Sequence, residues 1–226
     1  MSGTPRERTI TTPVGSARAW TQGPYGLGAL VLGHGAGGGV DAPDLRAARD
    51  AALAVGLGVV LVEQPWRVAG RRVAVAPARL DQAWLAVLAD LTGHHGGPAL
   101  VEGPVVVGGR SAGARVACRT ATRVGAAGVL ALAFPLHPPG HPDRTRLPEL
   151  RLPTVPRLVV QGDRDAFGLP TPEPGVEVHL VRGADHGFAV RRTDARSADE
   201  VAAEVRAIVT PWLVRVLGRE ARTVRR

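Results

Sequence analysis

The chain has 226 residues, 45% hydrophobic and 21% charged, with a formal net charge of +8. That size suits one α/β domain spanning residues 1–226 around a single core, and the composition excludes a disordered or low-complexity chain. Cys118 is the only cysteine, which excludes an internal disulfide. The N-terminal stretch lacks an apolar core and the apolar runs are far shorter than a bilayer, so a cytoplasmic location without membrane association is expected. The basic side chains are all arginine and are scattered, with dense clusters only at Arg71-Arg72, Arg191-Arg192 and Arg219 to Arg226. We read them as solvated surface and GC-rich codon usage, and expect no nucleic-acid partner.

In chain order, Arg8 to Trp20 with Pro13-Val-Gly15 inside it fits an antiparallel hairpin at a sheet edge. Ala29 to Leu32 is the first of several short apolar runs, mostly continuous, the others being Gly58 to Val62, Val105 to Val107, Val129 to Ala133, Leu158 to Val160 and Val176 to Val181. Continuous rather than alternating apolarity marks strands covered on both faces, hence a central, mostly parallel sheet. Between the strands lie helices. Asp41-Ala-Pro-Asp44 supplies a cap, an early proline and a first-turn acid before the apolar face Leu45, Ala48, Ala52 and Val55. Leu80, Trp84, Val87, Leu88 and Leu91 mark a second helix. Ser197-Ala-Asp-Glu200 is a capping box opening a third, which carries Val201, Val205, Ile208, Trp212, Leu213 and Val216, with Pro211 as a possible kink. Pro135 to Pro156 reads as one long, irregular excursion, too short for a cap domain. The alternation predicts an α/β doubly wound fold, with ligands gathered beyond the carboxyl ends of the strands.

The first of those ends, LVLGHGAGGGVDAP, has two readings. Gly33, Gly35 and Gly38 satisfy the dinucleotide fingerprint, and Glu63 follows the next strand about where a ribose-binding acid would sit. Against a phosphate cradle, Asp41 and Asp44 place acid where a pyrophosphate needs an open helix N-terminus. The second reading is a loop that offers backbone N–H groups to an oxyanion.

Gly109-Arg-Ser111-Ala-Gly113 lies between the strand-like PVVVG and a helix-like segment. A G-x-S-x-G turn here strains the serine backbone, and its glycines allow strand and helix to approach. A serine hydroxyl needs a base, and the base needs an orienting acid. Both follow at later strand ends, in Gln161-Gly-Asp163-Arg-Asp165 and Gly183-Ala-Asp185-His186. Asp163 and Asp165 compete for the acid role. We favour Asp165, because the turn has to carry the carboxylate away from the strand toward His186, and Asp163 would fix the turn; Asp185 adjoins His186 too closely in sequence. The second oxyanion donor after Ala112 N–H would be Ala36 N–H, with Gly37 next. No histidine pair sits at metal-ligand spacing beside carboxylates, so no metal and no cofactor are expected. His34 and His137 remain candidates for the pocket, and Cys118 reads as a small core side chain. Trp66, Arg67 and the Pro135 to Gly140 loop are expected to border the pocket, where arginine would favour an acidic substrate, although arginine is more commonly surface.

From the HGAGGG loop through GGRSAGARVA to QGDRDAFG and GADHGF, the sequence resembles the α/β-hydrolase superfamily. Phe134-Pro-Leu-His-Pro-Pro-Gly140 looks like the compact, lidless branch of dienelactone-hydrolase-like and testis-expressed or chromatin-complex hydrolase-like proteins. The resemblance implies a sheet of about eight strands without a cap domain. It also implies a serine hydrolase, read here as acting on an ester or related acyl compound, with Ser111 as nucleophile, His186 as base and Asp165 as acid. The alternatives are a nucleotide-binding protein and a catalytically silent interaction module built on the same fold.

Overall fold

A computed structural model describes residues 4–94 and 96–218. The Arg219 to Arg226 cluster and His95 lie outside the described residues. Strands β1 (Arg6–Thr12) and β2 (Gly15–Gln22) form the expected hairpin. Then follow β3 (Ala29–Gly33), α1 (Pro43–Ala54), β4 (Gly58–Glu63), α2 (Pro65–Val68), α3 (Pro77–Leu91), β5 (Val105–Arg110) and α4 (Ala112–Thr120). The chain closes with β6 (Gly128–Leu132), α5 (Leu147–Arg151), β7 (Arg157–Gly162), β8 (Val176–Val181) and α6 (Ala198–Val216).

The strands make one 8-stranded sheet in the order β1-β2-β4-β3-β5-β6-β7-β8. The hairpin is antiparallel and occupies one edge, β2 pairs antiparallel with β4, and the other pairings are parallel. The order runs outward from β3 in both directions, which places crossover helices on both faces. Leu30 and Leu32 join the core beneath α1 and α6, whereas Val31 joins the core beneath α3, α4 and α5. Both faces of β3 are therefore buried, which explains its unbroken apolar run. The segment between β6 and β7 holds only the short α5, and no cap domain covers the carboxyl edge of the sheet.

Two local expectations are corrected. Asp41 does not cap α1: the N-cap is Ala42, with no side-chain cap hydrogen bond. Pro43 sets the first helical φ in its place, and Asp44 is buried. The Pro135 to Pro156 stretch is also not wholly irregular, since α5 forms within it; five residues are too few to show a helical period. The capping box is as expected, with the Ser197 side chain accepting from the Glu200 N–H and the Glu200 carboxylate accepting from the Ser197 N–H. Helix α6 runs on through Pro211. No described helix is long and apolar enough to cross a membrane.

Candidate active site

Ser111 stands between β5 and α4 with φ 52° and ψ −107°, a left-handed conformation that a non-glycine residue adopts only under constraint. The constraint comes from close packing on both sides. A Cβ on Gly113 would collide with the Gly33 carbonyl, and one on Gly109 would do the same. The two glycines of the motif thus let β3, β5 and α4 meet, and the turn squeezed between them projects Ser111 beyond the sheet.

At the ends of β7 and β8 stand the other two residues. The His186 Nε2 lies 3.0 Å from Ser111 Oγ, and its Nδ1 lies 2.7 Å from Asp165 Oδ2. The Asp165 side chain is fully buried, and its carboxylate also accepts from Gln161 Nε2 at 2.7 Å and from the Phe167 N–H at 2.8 Å. The Phe167 ring meets the imidazole edge-on, with centroids 4.4 Å apart. Such an arrangement holds the imidazole with Nδ1–H directed at the carboxylate and Nε2 facing the hydroxyl. Asp163 is engaged elsewhere: its Oδ1 accepts from the Gly183 N–H at 2.8 Å and ties the turn after β7 to the turn after β8. Asp185 accepts from the N–H groups of Gly187 and Ala189.

A family model described as "Alpha/beta hydrolase domain" matches residues 27–213. The chain belongs to the α/β-hydrolase family. Solved structures agree in fold. A serine hydrolase homologue from Coxiella burnetii aligns with a TM-score of 0.69 at 20% identity, covering 93% of this chain and 98% of that one. A lidless α/β serine hydrolase from Xanthomonas campestris gives 0.70 at 17% identity, covering 92% and 95%. A dienelactone hydrolase from Anabaena variabilis gives 0.66 at 16%, covering 94% and 99%. A search of curated proteins found no match.

In this α/β-hydrolase the glycine loop after β3 lies against the elbow, where a Cβ on Gly35 would sit 3.4 Å from the Ser111 Cβ. His34 secures that loop from beneath. Its Nδ1–H donates to the Gly35 carbonyl at 2.8 Å, and its Nε2 accepts from the Gln64 N–H at 3.1 Å. Both ring nitrogens are thereby used in the neutral form, and burial holds the pKa below the ordinary histidine value despite the Gly35 bond and the nearby Glu63. His34 is therefore a strut and not a pocket residue. His137 is likewise absent from the cleft wall, its Nδ1 donating to the Arg144 carbonyl at 2.7 Å. Trp66, whose ring packs on His34 with centroids 5.5 Å apart, and Arg67 are also absent from the cleft wall.

A cleft of about 420 Å³ opens beside Ser111 and His186, and Ala36, Gly37 and Ala112 line it. Ala112 is the first residue of α4, so its N–H has no intrahelical acceptor. The Ala36 N–H has no acceptor among the described residues. Pro135 and Pro139 contribute to the wall, as expected for that loop. Sequence reasoning missed Arg110, Arg115, Arg146 and Phe167, all in the wall. One signal was available: Arg115 follows Ser111 by four residues on a helix, a spacing that puts both on one face. Arg110, the first variable residue of G-x-S-x-G, donates from Nη2 to the His186 carbonyl at 3.0 Å, with Nε 3.7 Å from Asp44 Oδ2. Burial raises the Asp44 pKa, and the Arg110 charge counters it.

Proposed function

We propose that this protein is a serine hydrolase acting on a carboxylic ester or related small acyl compound. The observation that carries the reading is the continuous hydrogen-bonded chain from Ser111 through His186 to buried Asp165, with the serine held in a strained backbone conformation. In the first half-reaction Ser111 Oγ attacks the carbonyl carbon as His186 Nε2 takes its proton. Asp165 stabilises the resulting imidazolium through Nδ1–H, and the N–H groups of Ala36 and Ala112 receive the oxyanion. The C–O bond to the alcohol breaks, and the alcohol leaves with the proton from His186. Water then gives a proton to His186 as it attacks the acyl-enzyme, the acyl bond to Ser111 Oγ breaks as His186 returns that proton to Oγ, and the acid leaves. The scheme needs no cofactor or metal. We place the protein in the cytoplasm as one domain, with a small acyl molecule as its partner.

The nucleotide-binding reading has less support. A Cβ on Gly33 would crowd Trp84 at 3.3 Å, Gly35 faces Ser111, and α1 starts only at Pro43 with a buried acid in its first turn.

Labelling with a fluorophosphonate probe tests the proposal. Wild type is expected to label, and Ser111→Ala and His186→Ala are not. Asp165→Asn is expected to lower kcat on the order of 10⁴-fold, with Asp163→Asn far milder. A folded wild-type protein that takes no label would sink the assignment and favour the silent-module reading.

A further inference from the structure

Three guanidinium groups, those of Arg110, Arg115 and Arg146, line the cleft beside Ser111, and no Asp or Glu among the described residues lines it with them. Two of the three are already engaged. Arg110 faces Asp44 and the His186 carbonyl. Arg115 grips Glu149 as a fork, at 2.8 Å from Nε and 2.7 Å from Nη2. Glu149 also receives Arg119 Nη1 at 3.0 Å, so this one carboxylate is shared between two arginines.

Arg146 is left without an ion pair among the described residues. Its Nη1 donates to the carbonyls of Pro135 and His137, each at 3.3 Å, and its backbone N–H donates to the Leu136 carbonyl at 2.7 Å. A guanidinium carries five N–H donors, and those on Nε and Nη2 have no acceptor among the described residues. That free edge has the spacing of a planar fork for a carboxylate. Burial and the positive charges of Arg115 and Arg119 work against its own charge, which Glu149 offsets only in part. A bound anion would relieve that strain.

We propose that the substrate of this site is a carboxylate-bearing ester, whose carboxylate is held by the Nε–Nη2 edge of Arg146 while its ester carbonyl faces Ser111. The inference rests on the reading of Ser111 as nucleophile. The cleft volume suits a molecule of that size.

The test compares two matched ester pairs that place the charge on either side of the scissile bond. One pair is the mono-para-nitrophenyl ester of adipic acid against para-nitrophenyl hexanoate. The other is para-acetoxybenzoate against its methyl ester. In wild type the ratio of kcat/KM, anionic over neutral, is expected to exceed one for at least one pair and to shrink with added salt. Arg146→Gln is expected to lower that ratio roughly tenfold, the scale of a charged hydrogen bond, while Arg146→Lys retains part of it. A bracing role for Arg146 would lower both members of a pair alike. Calorimetric binding of adipate to Ser111→Ala, weakened by adding Arg146→Gln, reads the same subsite without turnover. Ratios at or below one in both pairs, a ratio that Arg146→Gln leaves unaltered, or no adipate binding each overturn the anion subsite. Adipate binding in a protein whose wild type takes no fluorophosphonate label overturns the serine-hydrolase reading instead.

Discussion

His34 is the residue at which pattern and role part most clearly. The His-Gly step after β3 reads as part of a reactive loop, yet the ring is buried and both nitrogens are spent on backbone groups, Gly35 carbonyl on one side and Gln64 N–H on the other. Its consequence is a pH dependence of stability. Because burial lowers the pKa in the folded chain, the unfolded chain binds a proton that the folded one does not once pH drops below about 6.5. Stability is then lost progressively between that value and the lower folded-state pKa. Melting temperatures followed from about pH 7.5 to about 5.5 are expected to fall less steeply in His34→Gln than in wild type. Parallel slopes would show that this ring is not what titrates. Cys118 needs no chemical role, as burial in the core pushes its thiol up to about 12.

Among the elements, the contact of β3 with the first turn of α4 decides where the nucleophile points. The helix can lie on the strand only because Gly113 carries no side chain to meet the Gly33 carbonyl. Gly113→Ala would push its methyl into the Gly33 carbonyl, and rigid backbone has little room to yield. We expect a loss of about 1–3 kcal/mol, seen as a fall of several degrees in the thermal midpoint. An unchanged midpoint would mean that the elbow can relax. The motif's glycine spacing was legible in the sequence, and so was the helix behind it. The arginine interleaved with it was not. Arg110 looks like a filler residue until folding brings the turn after β8 within reach of its guanidinium. Nothing local in the chain encodes that distance of 76 residues.

Across the whole molecule, the helices on one face are joined by charge. Asp81 of α3 takes Arg119 of α4, and Glu149 of α5 takes both Arg115 and Arg119. Burial would raise the Glu149 pKa, but the hydrogen bond and charge of Arg115, followed by Arg119, hold it below the usual carboxylate range. A depressed carboxylate pKa contributes stability above the unfolded value and loses it as pH falls through the folded one. Glu149→Gln should therefore melt earlier than wild type near neutrality, with the gap closing as pH drops below about 4. A gap that stayed constant across that range would mean that the ion pairs contribute nothing to it. The same network leaves Arg146 of the cleft wall without an ion pair among the described residues, so the proposed substrate charge and the packing of α5 are linked.

The sequence by itself determined the layered α/β architecture, because strands buried on both faces must be continuously apolar and helices buried on one face must be periodic. It also identified Ser111, His186 and the pair Asp163 and Asp165 as the groups to watch, since each follows a strand and the turn geometry there is written in glycines and aspartates. Only the tertiary structure decided which aspartate meets the histidine, that His34 supports the loop from behind, and that three arginines converge on one cleft. These depend on distances between strand ends far apart in the chain, set by sheet order and by packing, and no local pattern of residues carries that information.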